Sequence, residues 1–508
     1  MLYHPAFGYY SSGRVNFVGD YQTFPNALAP YFGQLVALQI FRMWDGMRQA
    51  GTLRRDDRFT IAEIGAGDGV LAESILDYLS EQKRHNSDPR WQEFVSQVTY
   101  VCYDRAPALT ELQRRRNARF GGQFEANSSD ATNLNAAIPP GSLKGVILSN
   151  ELLDVFGVHK VILSESGSAE VAFVAPFLSQ KAWNQIRSRV PLAVQESIAS
   201  DNRAINNALF AGRHQTVTYL SRDTLVALLE SITASKDYFS LVQSIEFQEI
   251  YLPVHVIPEL AEHLQRYAHT YASELASRAK GIVTYVNLGA EKFIRGAGAA
   301  LRAGYVITID YGSSWDGIMA PDQPHLRTYG PGPQRSVSSD LLLSLTLDRT
   351  EAGRQSSTYD VSPQWDKIAD INSLATAARG KPDPYRWPTL NDITSDVNFS
   401  QLAIEGRLTG LRTLYFGPQR ALRAAQSISL TAKNPTSSPN REKDLNAWLT
   451  EFARDGKFKL LIEQKQGTDD AYVYPDNHPE TLDLYESRLN VAQRRKVIEA
   501  EHNLHGIK

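Results

Sequence analysis

The stretch that decides the fold is Ile61-Ala-Glu-Ile-Gly-Ala-Gly-Asp-Gly-Val-Leu71, in which an apolar strand end is followed by three alternating glycines and a helix start. Glycines at this position let the backbone turn tightly and approach a bound nucleotide closely. The first N–H groups of the following helix are free to face a ligand. The stretch therefore predicts the first strand–turn–helix unit of a nucleotide-binding α/β domain, with Gly65, Gly67 and Gly69 in the turn.

Outward from this turn, strands and helices alternate, as in a parallel sheet whose neighbouring strands are joined by crossover helices. Hydrophobic spacing predicts helices over 31–49, 69–79, 107–120 and 290–303. Short apolar runs predict strands at 59–64, 97–103, 124–126, 145–149, 304–310 and 457–463. The alternation lapses between 176 and 279, where the pattern is mostly helical with one β-rich stretch at 248–253.

These patterns predict an α/β fold with a Rossmann-like sheet, a large mostly helical insertion and an N-terminal extension. The 508 residues exceed one ordinary compact domain. We expect an N-terminal cofactor-covering segment at 1–50, a core formed by 51–175 and 286–465, a substrate-side insertion at 176–285, and a C-terminal tail at 466–508. Long loops are expected at 313–389, and an exposed loop at 427–441.

The charge and composition of the chain restrict the kinds of partner and compartment that are expected. The net charge of −3 gives no basic footprint for nucleic acid. No run approaches the roughly 20 apolar residues of a membrane span, and no signal peptide is evident. A single cysteine, Cys102, excludes a disulfide framework within the chain. These features favour a cytoplasmic protein, with the mitochondrial matrix as the alternative. The histidines lack metal-site spacing, so no metal is predicted.

Acidic side chains surround the glycine turn. Glu63 precedes it, Asp68 lies within it, and Asp104 and Asp130 follow the next two strands. Carboxylates would repel a pyrophosphate, whereas S-adenosyl-L-methionine is cationic and carries no phosphate. Asp104 is placed to accept hydrogen bonds from ribose hydroxyls, and Asp130 from the adenine amino group. The pattern favours S-adenosyl-L-methionine as the cofactor, although a glycine turn can be only a tight loop and strand-end acids can be only caps.

Several short motifs, in order, resemble the MidA-like methyltransferase family. The resemblance runs from residue 3 to about residue 465, and the matching segments are Tyr3-His-Pro-Ala-Phe-Gly-Tyr-Tyr10, Gly19-Asp-Tyr-Gln-Thr-Phe-Pro25, the Gly65 turn, Asn150-Glu-Leu-Leu-Asp154, Ile309-Asp-Tyr-Gly312, Leu326-Arg-Thr-Tyr329 and Asp392-Ile-Thr-Ser-Asp-Val-Asn-Phe399. The resemblance implies a methyltransferase and a Rossmann-like class I methyltransferase sheet; mitochondrial members of the family assist complex I assembly and methylate a protein arginine. The histidine expected soon after Tyr329 is missing, and 334–383 is longer than expected.

Candidate catalytic residues follow the fourth strand. Asn150, Glu151 and Asp154 lie at its carboxyl end, which borders the ligand crevice in open α/β sheets. If a helix starts there, Glu151 and Asp154 share one face and can hold a guanidinium group in a bidentate fork. The competing interpretation is that Asp154 caps that helix and Glu151 is a structural acceptor. Gly19 and Asp20 are expected to close over the methionine end of the cofactor.

Three functions remain open from the sequence. The first is protein arginine N-methylation. The second is O-, N- or C-methylation of a small molecule in a biosynthetic pathway, which the enlarged loops would suit. The third is an assembly factor that binds the cofactor without turnover. The methyl acceptor is thus expected to be a protein or a small molecule, and the oligomeric state is not predicted.

Overall fold

The computed structural model of the chain describes residues 1–12, 15, 23–210, 217–232, 242, 244–278, 281–319, 326–329, 357–358, 385, 389, 392–424, 439–454, 456–465 and 467. Its strands are β1 Phe59–Ile64, β2 Val98–Asp104, β3 Phe124–Ser128, β4 Leu143–Asn150, β5 His159–Leu163, β6 Ala169–Ser179, β7 Val217–Tyr219, β8 Ile245–Pro253, β9 Ile282–Val286, β10 Leu301–Ser313, β11 Leu326–Tyr329, β12 Ser357–Thr358, β13 Asp392–Ser395, β14 Val397–Asn398, β15 Leu411–Pro418 and β16 Phe458–Lys465.

The α-helices within these ranges are α1 Phe24–Ala27, α2 Tyr31–Gln49, α3 Val70–His85, α4 Pro89–Gln97, α5 Pro107–Asn117, α6 Gln180–Ile186, α7 Leu192–Phe210, α8 Arg222–Ile232, α9 Pro258–Arg266, α10 Ala268–Ser277, α11 Leu288–Ala300, α12 Trp315–Ile318, α13 Phe399–Leu408, α14 Ala421–Ala424 and α15 Pro439–Arg454. The helices and strands predicted around the glycine turn are confirmed, with boundaries that shift by a few residues.

The main sheet has the strand order β15-β16-β10-β4-β1-β2-β3. β1 pairs in parallel with β2 and β4, β2 with β3, and β4 with β10. β16 runs antiparallel to β10 and β15. The strand order reverses at β1, so the carboxyl ends of β1 and β4 border the crevice in which open α/β sheets bind ligands. The predicted Rossmann-like methyltransferase sheet is confirmed.

Helices cover both faces of this sheet. On one face α2, α3 and α4 bury an aromatic core, in which the rings of Phe41 and Trp91 stack at 3.9 Å. Trp44 is 1% exposed, and its indole N–H donates to Gln97 Oε1 at 2.8 Å, so its one polar group is satisfied. On the other face α11 and α13 pack Phe293 and Phe399 against the sheet. Burial on both faces explains the nearly continuous apolar runs of the strands.

A second sheet, formed by strands on both sides of the predicted insertion boundary at residue 176, has the order β7-β6-β5-β9, and β8 also pairs with β6. All of these pairs are antiparallel. Helices still make up most of the described insertion, as predicted. The β-rich stretch at 248–253 is the end of β8, but the sequence analysis missed β5, β6, β7 and β9. Antiparallel strands need no crossover helix, so no alternation marked them.

The structure corrects one further prediction, adds a helix that was not predicted and leaves other predictions untested. The prediction of an exposed loop at 427–441 is wrong at its C-terminal end, because α15 begins at Pro439. Helix α4 was not predicted, although Asp88 caps it by accepting from the Arg90 N–H and Pro89 occupies its first position. Most of 313–389 and all of the tail beyond residue 469 lie outside the described residues, and the strands β11 and β12 fall inside the expected long loops. The assignment of residues to domains stays a prediction.

One carboxyl group is buried in the core without a hydrogen-bond partner among the described residues. Glu463 on β16 is 0% exposed, and neither of its carboxyl oxygens has a partner there. Burial raises the pKa of Glu463 to about 8, against the opposing charge of Arg407. The carboxyl group is therefore protonated in the folded protein at neutral pH.

We predict that Glu463→Gln stabilises the protein relative to the wild type as the pH rises. A folded-state pKa above the unfolded value means that stability is lost as the pH climbs from the usual glutamate range through about 8. The amide cannot ionise, so the variant gains about 1 kcal/mol per pH unit between pH 5 and 8. Urea unfolding at several pH values measures the difference. Glu196→Gln on exposed α7 is the control, and parallel curves for wild type and Glu463→Gln would contradict the prediction.

Candidate functional site

The glycine turn joins β1 to α3 with left-handed backbone at each of its glycines. Gly65, Gly67 and Gly69 have φ values of 74°, 54° and 79°. A Cβ on Gly65 would lie 2.6 Å from Leu152 Cδ1, and one on Gly69 would lie 3.0 Å from the Asn117 side-chain nitrogen. Neither the conformation nor the space admits a side chain at these two positions. The turn is thus a cradle of bare backbone beside β4 and α5.

Glu63 lies beneath this turn and not at its surface. Its side chain is buried, accepts from the Tyr100 hydroxyl at 2.8 Å, and lies 3.7 Å from the Cys102 sulfur. Burial raises the pKa of Glu63 to about 8. The group is therefore mostly uncharged at neutral pH, and the expected repulsion of a phosphate by Glu63 is weaker than the sequence suggested.

Asp68 is engaged by its neighbours. One carboxylate oxygen accepts from the Val70 N–H at 3.2 Å, which ties the turn to the start of α3. The other oxygen lies 3.2 Å from an Arg116 nitrogen on α5. Asp68 therefore stabilises the shape of the cradle, and its charge is largely balanced by Arg116.

Asp104 ends β2 directly beside the glycine turn. Its two oxygens accept from the backbone N–H groups of Ala106 at 2.9 Å and Gly67 at 3.2 Å. Burial raises the pKa of Asp104 to about 6. Each oxygen retains acceptor capacity, so the carboxylate can serve both the turn and a hydroxyl-bearing ligand.

Asp130 follows β3, one strand further along the same edge. It accepts from the backbone N–H and the hydroxyl of Thr132 at 2.9 and 2.7 Å. An Arg105 nitrogen lies 3.6 Å from its other oxygen, and both side chains are partly exposed. Gly19 and Asp20, predicted to cover the cofactor, lie outside the described residues. The uncovered glycine backbone and the strand-end carboxylates at Asp104 and Asp130 fit an adenosine group without phosphates.

The segment after β4 differs from the expected helix. Residues 151–158 form bends and turns, and Glu151 has a positive φ of 49°. The prediction that Glu151 and Asp154 share a helix face is therefore wrong, and so is the competing one that Asp154 caps a helix. The Glu151 N–H donates to the Ile309 carbonyl at 2.8 Å, which holds the segment against β10. A non-glycine residue in this conformation costs about 1 kcal/mol or more and is typical of functional sites.

Hydrogen bonds hold the backbone around Asp154 on two sides. Asp310, at the end of β10, accepts from the N–H groups of Leu153 at 2.9 Å and Asp154 at 3.3 Å. The Ser395 N–H donates to the Asp154 carbonyl at 2.8 Å. Asp154 is 3% exposed, yet its Oδ1 has no hydrogen-bond partner among the described residues, and neither has Asn150 Oδ1. Buried acceptors without donors indicate a place for a ligand that donates.

Three acidic side chains share this place. Burial raises the pKa of Glu151 to about 8, and Asp154 adds to the rise. Burial raises the pKa of Asp154 to about 6, against a hydrogen bond from Tyr311 and the charge of Arg327. Burial, followed by the charges of Asp154 and Glu151, raises the pKa of Asp310 well above its usual range. A cation in this pocket would relieve the repulsion among them.

Arg327, to which the sequence predictions gave no role, lies beside these acidic side chains. Arg327 on β11 lies with its guanidinium carbon 5.1 Å from the centre of the Tyr311 ring, and it pairs with Asp396 at 2.5 Å. β11 pairs with β13, which begins at Asp392. The only sequence signal for Arg327 was its place in one of the family motifs. Four of those motifs, at 150–154, 309–312, 326–329 and 392–399, converge here.

The strand order and the glycine cradle define a Rossmann-like α/β protein that binds a nucleotide-type cofactor. Residues 35–330 match a family model described as "Putative S-adenosyl-L-methionine-dependent methyltransferase". The match spans more than half of the 508 residues, and the chain belongs to this family. The predicted cofactor, S-adenosyl-L-methionine, is confirmed. The membership does not identify the methyl acceptor.

Two solved structures from Burkholderia thailandensis share the fold at 17% sequence identity. One, described as a "likely methyl transferase" bound to S-adenosyl-homocysteine, has a TM-score of 0.55 over 94% of this chain and 89% of its own. The other, described as uncharacterized, has a TM-score of 0.52 over 92% and 86%. None of the curated proteins matches the chain at a significant level.

No described helix has both the length and the apolar character that a membrane crossing needs. The described part of the chain also holds no group of three or more His, Cys, Asp and Glu side chains arranged around a possible metal ion.

We predict that Asp104→Asn weakens binding of S-adenosylhomocysteine about 10- to 100-fold, because the amide keeps one acceptor atom where the carboxylate has two and loses its charge. Isothermal calorimetry measures the dissociation constant. Asp56→Asn, an exposed aspartate before β1, is the matched control. An unchanged constant for Asp104→Asn in folded protein would exclude Asp104 from the cofactor site.

Proposed function

We propose that the protein transfers a methyl group from S-adenosyl-L-methionine to a guanidinium nitrogen of arginine in a protein substrate. The observation that carries this proposal is the buried Asp154 Oδ1, which has no hydrogen-bond partner among the described residues. Asn150 Oδ1 is also buried without a hydrogen-bond partner among the described residues, and Glu151 lies between Asn150 and Asp154 in the sequence. A pocket of acceptors and carboxyl groups suits a flat cation with several N–H donors, and arginine presents five in a rigid fork.

The acceptor site would work by holding the guanidinium and taking its proton. Glu151 and Asp154 would bind it through charge-assisted hydrogen bonds and localise its positive charge away from one nitrogen. The lone pair of that nitrogen forms the new bond to carbon as the carbon–sulfur bond breaks, and the nitrogen proton passes to a carboxylate. Asp154 is the stronger candidate for this base because its pKa of about 6 leaves it ionised at neutral pH.

The cofactor would be held by the cradle and the strand-end acids: Glu63, Gly65, Gly67, Asp68, Gly69, Asp104 and Asp130, with Gly19 and Asp20 from the N-terminal segment. When bound, S-adenosyl-L-methionine supplies a methyl carbon activated by a sulfonium charge. Asp104 would orient the ribose, and Glu63 and Asp68 would act mainly by holding the turn, as their contacts with Tyr100 and Arg116 suggest.

The resemblance to the MidA-like family supports a protein as acceptor, and an assembly role follows from it as part of the same proposal. We place the protein in the cytoplasm, with the mitochondrial matrix as the alternative. The segment 1–50 would cover the cofactor, and the insertion at 176–285 would face the substrate.

We predict that Glu151→Gln and Asp154→Asn each lower methyl transfer to protein about 100-fold or more, because they remove a hydrogen-bonded charge or the base. Binding of S-adenosylhomocysteine is expected to stay within about threefold of wild type, since neither side chain belongs to the cradle. The assay incubates labelled S-adenosylmethionine with cell extract, digests the labelled protein and identifies the methylated residue. Glu165→Gln, in the exposed turn before β6, is the control.

Label on lysine, or only in small molecules, would refute the arginine proposal while leaving the cofactor assignment intact. Glu151→Gln and Asp154→Asn with wild-type activity would exclude this pocket as the acceptor site.

We predict that kcat/KM for the arginine substrate rises with pH between about 6 and 8. The guanidinium stays charged throughout, whereas the pKa values of Asp154 and Glu151 are raised to about 6 and about 8. Both groups must be ionised to bind a cation, so the free protein is less competent at low pH. A pH profile in Asp154→Asn, measured on its residual activity, should lose the part of the rise near pH 6. A profile that is flat or falls over this range would contradict the prediction.

A further inference from the structure

Tyr3 connects the two halves of the site. Its hydroxyl donates to the Val155 carbonyl at 2.9 Å, a contact between residues 152 positions apart in the chain. Val155 directly follows Asp154, in the segment 150–156 that we call the acceptor loop. The contact therefore ties the N-terminal segment to the backbone that carries Asn150, Glu151 and Asp154.

The Tyr3 ring also lies beside the residues assigned to the adenosine part of the cofactor. The Arg105 guanidinium carbon lies 5.2 Å from the centre of the ring, within the range of a cation–π contact. Arg105 follows Asp104 in the chain and lies 3.6 Å from Asp130. The two carboxylates assigned to ribose and adenine thus flank the cation that packs on Tyr3.

Tyr3 is held in one place by its own segment. The Tyr9 and Tyr10 N–H groups donate to the Met1 and Leu2 carbonyls at 3.0 and 2.9 Å, and the Gly8 N–H donates to His4 at 2.8 Å. A Cβ on Gly8 would lie 2.4 Å from the His4 nitrogen, so the turn closes only with glycine. The ring of Tyr10 stacks on Tyr3 at 5.8 Å.

We infer that Tyr3 is a positioning residue that transmits cofactor binding to the acceptor loop. The inference rests on the proposed function in calling 150–156 the acceptor loop and in placing the cofactor beside Asp104 and Asp130. A ligand between Asp104 and Asp130 restricts Arg105, Arg105 restricts the Tyr3 ring, and the Tyr3 hydroxyl holds the Val155 carbonyl. The loop carries a strained residue, Glu151, and so depends on outside contacts for its shape. Coupling of this kind is reciprocal, so an ordered loop also favours the cofactor.

Burial and the charges of neighbouring side chains keep the Tyr3 hydroxyl protonated, so that it can donate. Burial first, and then the charges of Asp392, Asp154 and Asp104, raise its pKa well above the usual value, with Arg105 opposing. The hydroxyl therefore keeps its proton across the working pH range.

Hydrogen–deuterium exchange with and without S-adenosylhomocysteine tests the inference on the full chain, whatever the methyl acceptor is. In wild type the ligand is expected to slow exchange at both 63–70 and 150–156. In Tyr3→Phe, which keeps the ring and loses only the hydroxyl, protection at 63–70 is retained and protection at 150–156 falls about threefold or more. Tyr78→Phe, on α3 against Trp91, is the matched control and behaves as wild type.

Arg105→Met provides a second route, since Arg105 is half exposed and its loss does not threaten folding. It should reduce protection of 150–156 in the same way, measured at saturating ligand. Equal protection of 150–156 in wild type and both variants would overturn the inference, and so would a wild type in which the ligand leaves 150–156 unchanged. Failure to methylate arginine would refute the proposed function alone, because this exchange experiment uses no acceptor.

Discussion

The site depends on the close approach of Gly65 to Leu152. The parallel pairing of β1 with β4 brings the ends of these strands side by side, and the absence of a side chain on Gly65 lets Leu152 pack against the turn. The same backbone thus forms the floor of the proposed cofactor cradle and supports the proposed acceptor loop. A side chain at residue 65 would meet Leu152 and would have to adopt a strained backbone conformation, so this strand-end glycine links the turn to the loop after β4.

The proposed acceptor site gathers buried acidic groups at a cost in free energy that the rest of the fold offsets. The carboxyl groups of Glu151, Asp154 and Asp310 are buried together, and burial is the largest cause of the raised pKa of each. Glu151 adds backbone strain. Two buried hydrophobic clusters on the faces of the main sheet, and the backbone hydrogen bonds from Ser395 and to Asp310, hold the segment in place. Such an arrangement is expected where a cation completes the charge balance.

The sequence predicted the sheet and the cradle well because both leave strong local patterns. The helix Tyr31–Gln49 and the strand Phe59–Ile64 were predicted at their observed bounds, since apolar periodicity and glycine spacing are read directly. The second sheet was mostly missed, because short antiparallel strands such as His159–Leu163 carry no crossover signal. The conformation of Glu151 was missed for another reason: a positive φ on glutamate is imposed by tertiary contacts, and no residue type announces it.

The positions of the acidic residues were predicted, but their protonation and their partners were not. Asp68 was correctly located in the turn, yet its partner Arg116 lies 48 residues away, and Glu63 meets Tyr100 only through strand pairing. The order of residues in the sequence does not reveal whether a carboxyl group near the glycine turn is free, paired or protonated. Its protonation depends on the side chains that the fold brings beside it. The turn therefore carries less negative charge than its acidic residues suggest. Asp104 and Asp130, at the ends of neighbouring strands, are the acids whose positions fit the predicted cofactor.

The first ten residues contact several separate parts of the chain. Phe7 packs into the buried cluster of the insertion helices with Leu178 and Leu228, while Tyr3, four residues earlier, reaches the acceptor loop. One short turn thus touches the insertion, the cofactor side and the acceptor side together. Backbone hydrogen bonds within residues 1–10 close this turn and hold Phe7 and Tyr3 close together. The predicted insertion and the loop after β4 are therefore packed against the same short turn, which explains how residues far apart in the chain share one support.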